Sequence, residues 1–248
     1  MFTKHLAGLR NARHWPQRVA LVALSGVLFP TAAPAQVVDP ESVTAAHLTA
    51  EPQSLQNLLR VPKSDGDLRV RLKCDAWITP RGSFLQTVCF APDNRYSRYE
   101  YAVGLASRYA RIAPARVNGR GIAVWFQYRV EFERQGGVDA VRVFPNQGEQ
   151  IATYGPDYVA PQRIHDPRIA FFSNQCDRRE TMWVHATISE RGMAQTVSVA
   201  DGKAGPVCRA QLIAGTQRSI FVPAQVAGRP VRALYREAFF FLEGPRRR

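Results

Sequence analysis

The chain lacks the short motifs that mark common enzymatic centres. No Gly-x-Ser-x-Gly occurs, so the nucleophile elbow of α/β-hydrolases is missing. No Cys-x-x-Cys occurs, and His47, His165 and His185 stand at no metal-ligand spacing, so no metal site is expected. Gly119-Arg-Gly121 has no strand before it and no helix after it, the setting a phosphate loop needs. Acids are scarce, 20 against 33 Lys and Arg, and Asp177, Glu180 and Glu190 are scattered over turn or polar-face positions. They read as solvated. Neither a catalytic set nor a cofactor site can be assembled from these residues.

Long hydrophobic runs are also missing. The longest near the start, Val19 to Phe29, is eleven residues and ends at Pro30. A bilayer-spanning helix needs roughly 20. With Lys4, Arg10, Arg13 and Arg18 before it and Ala33-Pro34-Ala35 after it, residues 1–35 read as a cleaved signal peptide. The alternative is a retained anchor. Cleavage would leave Gln36 first and export the protein, to the periplasm of a Gram-negative cell. It removes four positive charges and no acid, so the formal net charge of +13 falls to +9. A basic surface favours acidic partners, although Arg246-Arg247-Arg248 is its one dense run. Nucleic acid is a poor partner for an exported protein.

What is present is β-pattern. Residues 36–65 read as a flexible lead with a short helix near Leu55-Gln-Asn-Leu-Leu-Arg60, closed by the turn Lys63-Ser-Asp-Gly66. Leu68 to Ile78 alternates strictly, Thr79-Pro-Arg-Gly82 is a turn, and Phe84 to Phe90 returns as a second strand. Tyr96 to Arg111 changes to helical spacing, with Tyr99, Ala102, Val103, Ala106, Tyr109 and Ala110 on one side and Asp93 or Asn94 as cap. Pro114 ends it. The turn at Asn118-Gly119 then leads into a long strand with Ile122, Val124, Phe126, Tyr128, Val130 and Phe132 on one face.

That last pattern recurs. At an offset of 109, Pro114, Ala115, Val117, Gly119, Arg120 and Phe132 match Pro223, Ala224, Val226, Gly228, Arg229 and Phe241. The second unit has strands at Thr181 to Ser189 and Ala194 to Val199 around a turn at Gly192. A loop at Asp201 to Gly205, a helix from Val207 to about Ser219 and a strand after Pro223 follow. The fold class is therefore α+β, two tandem β-β-α-β units with small antiparallel sheets, each covered by one helix. The boundaries are 66–134 and 169–243, with a basic tail at 244–248 and a turn-rich linker at 135–168, in which a short strand at Ala140 to Phe144 would extend the first domain.

Two cysteines fall in each unit. Four allow three pairings, and an exported chain of this kind argues for disulfides over free thiols. The first hairpin sets Cys74 across from Cys89. Cys176 and Cys208 would then tie the strand approach of the second unit to its helix.

The repeated Pro-Ala-x-Val-x-Gly-Arg turn and the strand after it resemble the C-terminal domain of TonB-type energy transducers. Leu72-Lys-Cys74 through Gly82 to Thr87-Val-Cys89 also resembles the subgroup with a cysteine on each hairpin strand. The resemblance covers roughly 66–134 and 176–243. It implies a non-catalytic, cofactor-free protein-binding module acting in TonB-dependent transport across the envelope. The partner would be an outer-membrane receptor or another component of the TonB system, docked by strand addition. Ile122, Val124, Trp125, Phe126, Tyr128, Val231, Leu234 and Tyr235 would form the docking edges, and Gly82, Pro114, Gly119, Gly192, Pro223 and Gly228 the supporting turns. The competing expectation is that these edges pair with each other, within the chain or in a homodimer. A second function, an envelope scaffold binding through its edges or basic surface, also stays open. The chain departs from a transducer in having no His in Val19 to Phe29 and no long Pro-rich spacer.

Overall fold

A computed structural model describes residues 42–169, 171, 176, 181–200 and 205–239. The leader over 1–35, the tail over 244–248, and Asp177 and Glu180 lie outside the described residues. So does the end of the last expected strand at Phe241. Among the described residues no helix is long and apolar enough to cross a membrane.

From Ser42 on, the expected flexible lead supplies core. Strand β1, Val43–Thr44, pairs with β4, Arg116–Val117. Helix α1, Leu55–Leu58, is capped by the Ser54 hydroxyl, which accepts from the Asn57 N–H. Ala45, Ala46, Leu55 and Leu59 are buried in the first core. The polar residues of this stretch concealed four apolar ones that face inward.

Strands β2, Leu68–Ile78, and β3, Phe84–Phe90, form the expected hairpin with Cys74 opposite Cys89. Asp93 caps a turn of 3-10 helix at Asn94–Tyr96 that feeds α2, Ser97–Ser107. After α2, β4 turns back on β5, Arg120–Gly121, and β6 follows as Val124–Gln135. Val124, Phe126, Tyr128, Val130 and Phe132 are fully buried and meet Leu72, Val70, Tyr99 and Val103 in one cluster. Burying one such side chain contributes about 1.5–3 kcal/mol.

The expected linker contributes two strands to the first sheet. Strand β7, Val138–Phe144, pairs with β6 from Arg129 to Gln135. Helix α3, Ile151–Tyr154, leads to β8, Gln162–Ile164, which pairs with β6 at Val124 and Trp125.

The second half repeats the element order. Strands β9, Met182–Ile188, and β10, Ala194–Ala200, precede α4, Pro206–Arg218. Then come β11, Phe221–Val222, the hairpin of β12, Ala224–Val226, with β13, Arg229–Val231, and finally β14, Ala233–Phe239. The sheet order β10-β9-β14 has the same sense as β3-β2-β6. The first sheet is larger than the small sheet expected, however. It has six strands, and β11 from the second half pairs with β8 inside it.

Local geometry repeats as well. Asn118 and Gly119 have φ of 50° and 76°, and Ala227 and Gly228 have 48° and 77°. Two successive left-handed residues make the turn type that suits a tight hairpin. Gly82 donates its place to a close backbone crossing: a Cβ there would stand 2.0 Å from the Ile112 carbonyl oxygen. A Cβ on Gly192 would stand 2.0 Å from that of Phe221. Pro114 and Pro223 follow these crossings in each half.

A closed seam and an open edge

The expected docking edges are both occupied. Strand β6 is internal, held by β2 on one side and by β7 and β8 on the other. Val124, Phe126 and Tyr128 point into the core, Ile122 packs against it, and Trp125 lies on the opposite face. The partners of this edge come from residues 138–164: β7 contains the short strand expected at Ala140 to Phe144, while turn residues masked β8.

Among the described residues strand β14 pairs only with β9, but its outer side is filled by side chains of the first half. Gln150 Oε1 accepts from the Leu234 N–H at 2.6 Å, and the Tyr154 hydroxyl donates to the Arg232 carbonyl at 2.6 Å. The Gln127 amide donates to the Arg236 carbonyl, and an Asp75 oxygen accepts from the Ala238 N–H at 3.4 Å. Tyr235 is buried edge-on against Phe221, Val231 sits in β13, and Leu234 remains half-exposed. The edges thus do not pair strand to strand. Polar side chains close the second one.

The polar face of β6 is buried too, with Gln127, Arg129 and Glu131 at 5% exposure or less. Arg129 is held by Glu131 at 3.0 Å and Asn146 at 2.7 Å. Arg163 and Glu237 form a buried two-pronged ion pair at 2.7 and 2.5 Å, and the Tyr235 hydroxyl also donates to Glu237. Asp75 lies between the halves, taking the amides of Gln147 at 2.9 Å and Gln127 at 3.4 Å. Burial, then the charge of Glu237, holds its carboxyl well above the usual carboxylate range.

Both expected disulfides form, Cys74–Cys89 and Cys176–Cys208. Such bonds persist in oxidising compartments outside the cytoplasm. Among the described residues no group of three or more His, Cys, Asp or Glu could hold a metal ion.

The open edge lies elsewhere. Among the described residues, strand β3 ends the six-stranded sheet and is paired on one side only. Its sequence, Phe-Leu-Gln-Thr-Val-Cys-Phe, contains no charge and no proline. Edges are normally protected by such residues, and the flanking strand β7 carries Asp139 and Arg142. Beside β3 runs a groove of about 270 Å³, lined by Phe84, Leu85, Thr87, Tyr101, Leu105 and Arg108 among others. Leu85, Tyr101 and Leu105 are exposed by 62%, 71% and 43%.

The second half has an equally uncharged edge in β10 but not the groove chemistry. A bulge skips Leu85 in the β2–β3 register and Gln195 in the β9–β10 register. The helices align through Ser107 and Thr216, whose hydroxyls donate to the carbonyls of Val103 and Leu212. On that alignment Tyr101 and Leu105 correspond to Ala210 and Ala214. The groove does not follow from the buried stripe of α2, which lies on the other side of the helix. Its signal was Tyr101 and Leu105, an apolar pair four residues apart on the opposite side.

No protein family, no curated protein and no solved structure matches this chain.

Proposed function

We propose that the chain is a non-catalytic, TonB-type binding module of the periplasm that docks an extended segment of a partner protein by strand addition. The docking edge in this reading is β3, not β6 or β14. One observation carries it: an uncharged strand, unpaired on its outer side among the described residues, runs beside a groove that exposes Leu85, Tyr101 and Leu105. An added strand gains main-chain hydrogen bonds from the edge and places alternate side chains in the groove. Among the described residues, Arg108 is the only charged one lining that groove. The fitting segment is therefore extended, apolar at alternate positions and flanked by acids.

The repeated β-β-α-β order and the cysteine-bearing hairpin support the family resemblance. Through it they support an adaptor or regulator role in TonB-dependent transport, with an outer-membrane receptor as partner. Amide hydrogen exchange tests the docking mode. A peptide from the N-terminal segment of a TonB-dependent receptor should slow exchange across 84–90 and leave 194–200 unchanged. Unchanged exchange at 84–90, with release from envelope fractions by salt, would favour the scaffold reading instead.

A further inference from the structure

On the opposite face of the same sheet, four side chains form a row across four strands. Register places Arg163 beside Trp125, Trp125 beside Trp77, and Trp77 beside Gln86. Above this row the second half leaves a cleft of about 530 Å³, walled by Ile169, Phe171, Ala238 and Phe239 and rimmed by His165. Folded interiors rarely leave voids much larger than a water molecule, and ligand clefts start at about 300 Å³.

The walls are fixed in place. The guanidinium of Arg163 lies 4.4 Å from the Phe171 ring centre and 5.5 Å from those of Trp125 and Phe239. Glu237 clamps that guanidinium from the other side. Trp77 is flanked by His165 at 4.5 Å and Trp125 at 6.0 Å between ring centres. A buried ion pair is a costly way to fill a core, and here it holds three aromatic rings around an open space.

The charges of the cleft are spoken for. Arg163 and Glu237 neutralise each other, and Asp166 is tied to Arg168 at 2.8 Å. Burial and the charge of Arg163 push His165 down, so its ring is neutral near pH 7. Among the described residues, a ligand here meets ring faces and neutral polar groups, and a buried charge on it would find no partner.

We propose that this cleft is a second binding site, for a neutral ring-bearing small molecule, independent of docking at β3. The test uses the indole N–H signals of the full chain, assigned by single Trp→Phe variants, with naphthol as the probe. Naphthol should shift the Trp77 and Trp125 signals saturably and leave Trp183, which packs on Phe90 and Arg236 outside the cleft, in place. Naphthoate, its anionic counterpart, should bind at least about tenfold more weakly. Trp125→Ala should weaken naphthol binding by a similar factor. His165→Ala, at the rim, should do so if the Trp125 variant fails to fold. Absence of saturable shifts, equal shifts at Trp183, equal affinity for naphthoate or indifference to both variants would each overturn the site. Tighter binding of glucose than of naphthol would overturn the ligand class.

Discussion

The side-chain amide of Gln127 donates to the backbone carbonyl of Arg236, a residue 109 positions later. That separation is the repeat offset, so equivalent positions of the two long strands meet at the seam. A side chain of the first copy thereby occupies the backbone edge of the second.

Gln127→Ala should expose this closure. It leaves the Arg236 carbonyl without its donor and removes a contact to Asp75. Urea denaturation should show a loss of about 1–3 kcal/mol. A stability unchanged within error would mean the seam does not depend on this contact.

Asp75 should make the fold weaken as pH rises. Its folded pKa lies above the unfolded value, because burial and Glu237 disfavour the charged carboxylate. The stability it contributes is present below the ordinary Asp value and is lost as pH climbs through the raised one. Asp75→Asn should flatten this dependence between about pH 4 and pH 8 and stabilise the protein at the upper end. Denaturation midpoints across that range decide it, and a midpoint that rises with pH only in wild type would contradict the assignment.

Two glycines should be intolerant for one shared reason. Gly82→Ala and Gly192→Ala each drive a Cβ to 2.0 Å from a backbone oxygen, at φ of 79° and 72°. Each should cost more than about 3 kcal/mol. Gly119→Ala, at φ of 76° with nothing within 4 Å, should cost only about 1–2 kcal/mol. Equal melting temperatures for all three variants would remove the crossing as the cause.

Reduction should loosen both halves. The bridges close separations of 15 and 32 residues. Cys74→Ser with Cys89→Ser should cost about 3 kcal/mol, and Cys176→Ser with Cys208→Ser somewhat more, on the chain-entropy argument. Thermal melts of the two double variants give the order, and a larger loss from the shorter loop would contradict it.

The sequence carried the parts of the fold set by local periodicity. The bounds of β2 and β3 and the Cys74–Cys89 register follow from alternation around one Gly82-centred turn. The edges were not legible, because edge status depends on what pairs from outside. Strand β7 showed as the short strand at Ala140 to Phe144, but β8 is three residues long, too short to show a period. Nor does local alternation show that Asp75, Gln127 and Arg163 are buried, since each has a partner contributed from elsewhere in the chain.

Photo-cross-linking in cells tests the central claim most directly, with one probe at Leu85 on the open edge and another at Trp125 in the closed seam. The account predicts that the Leu85 probe captures N-terminal segments of outer-membrane receptors and that the Trp125 probe yields only products within the chain. Receptor segments captured from Trp125 and none from Leu85 would contradict it.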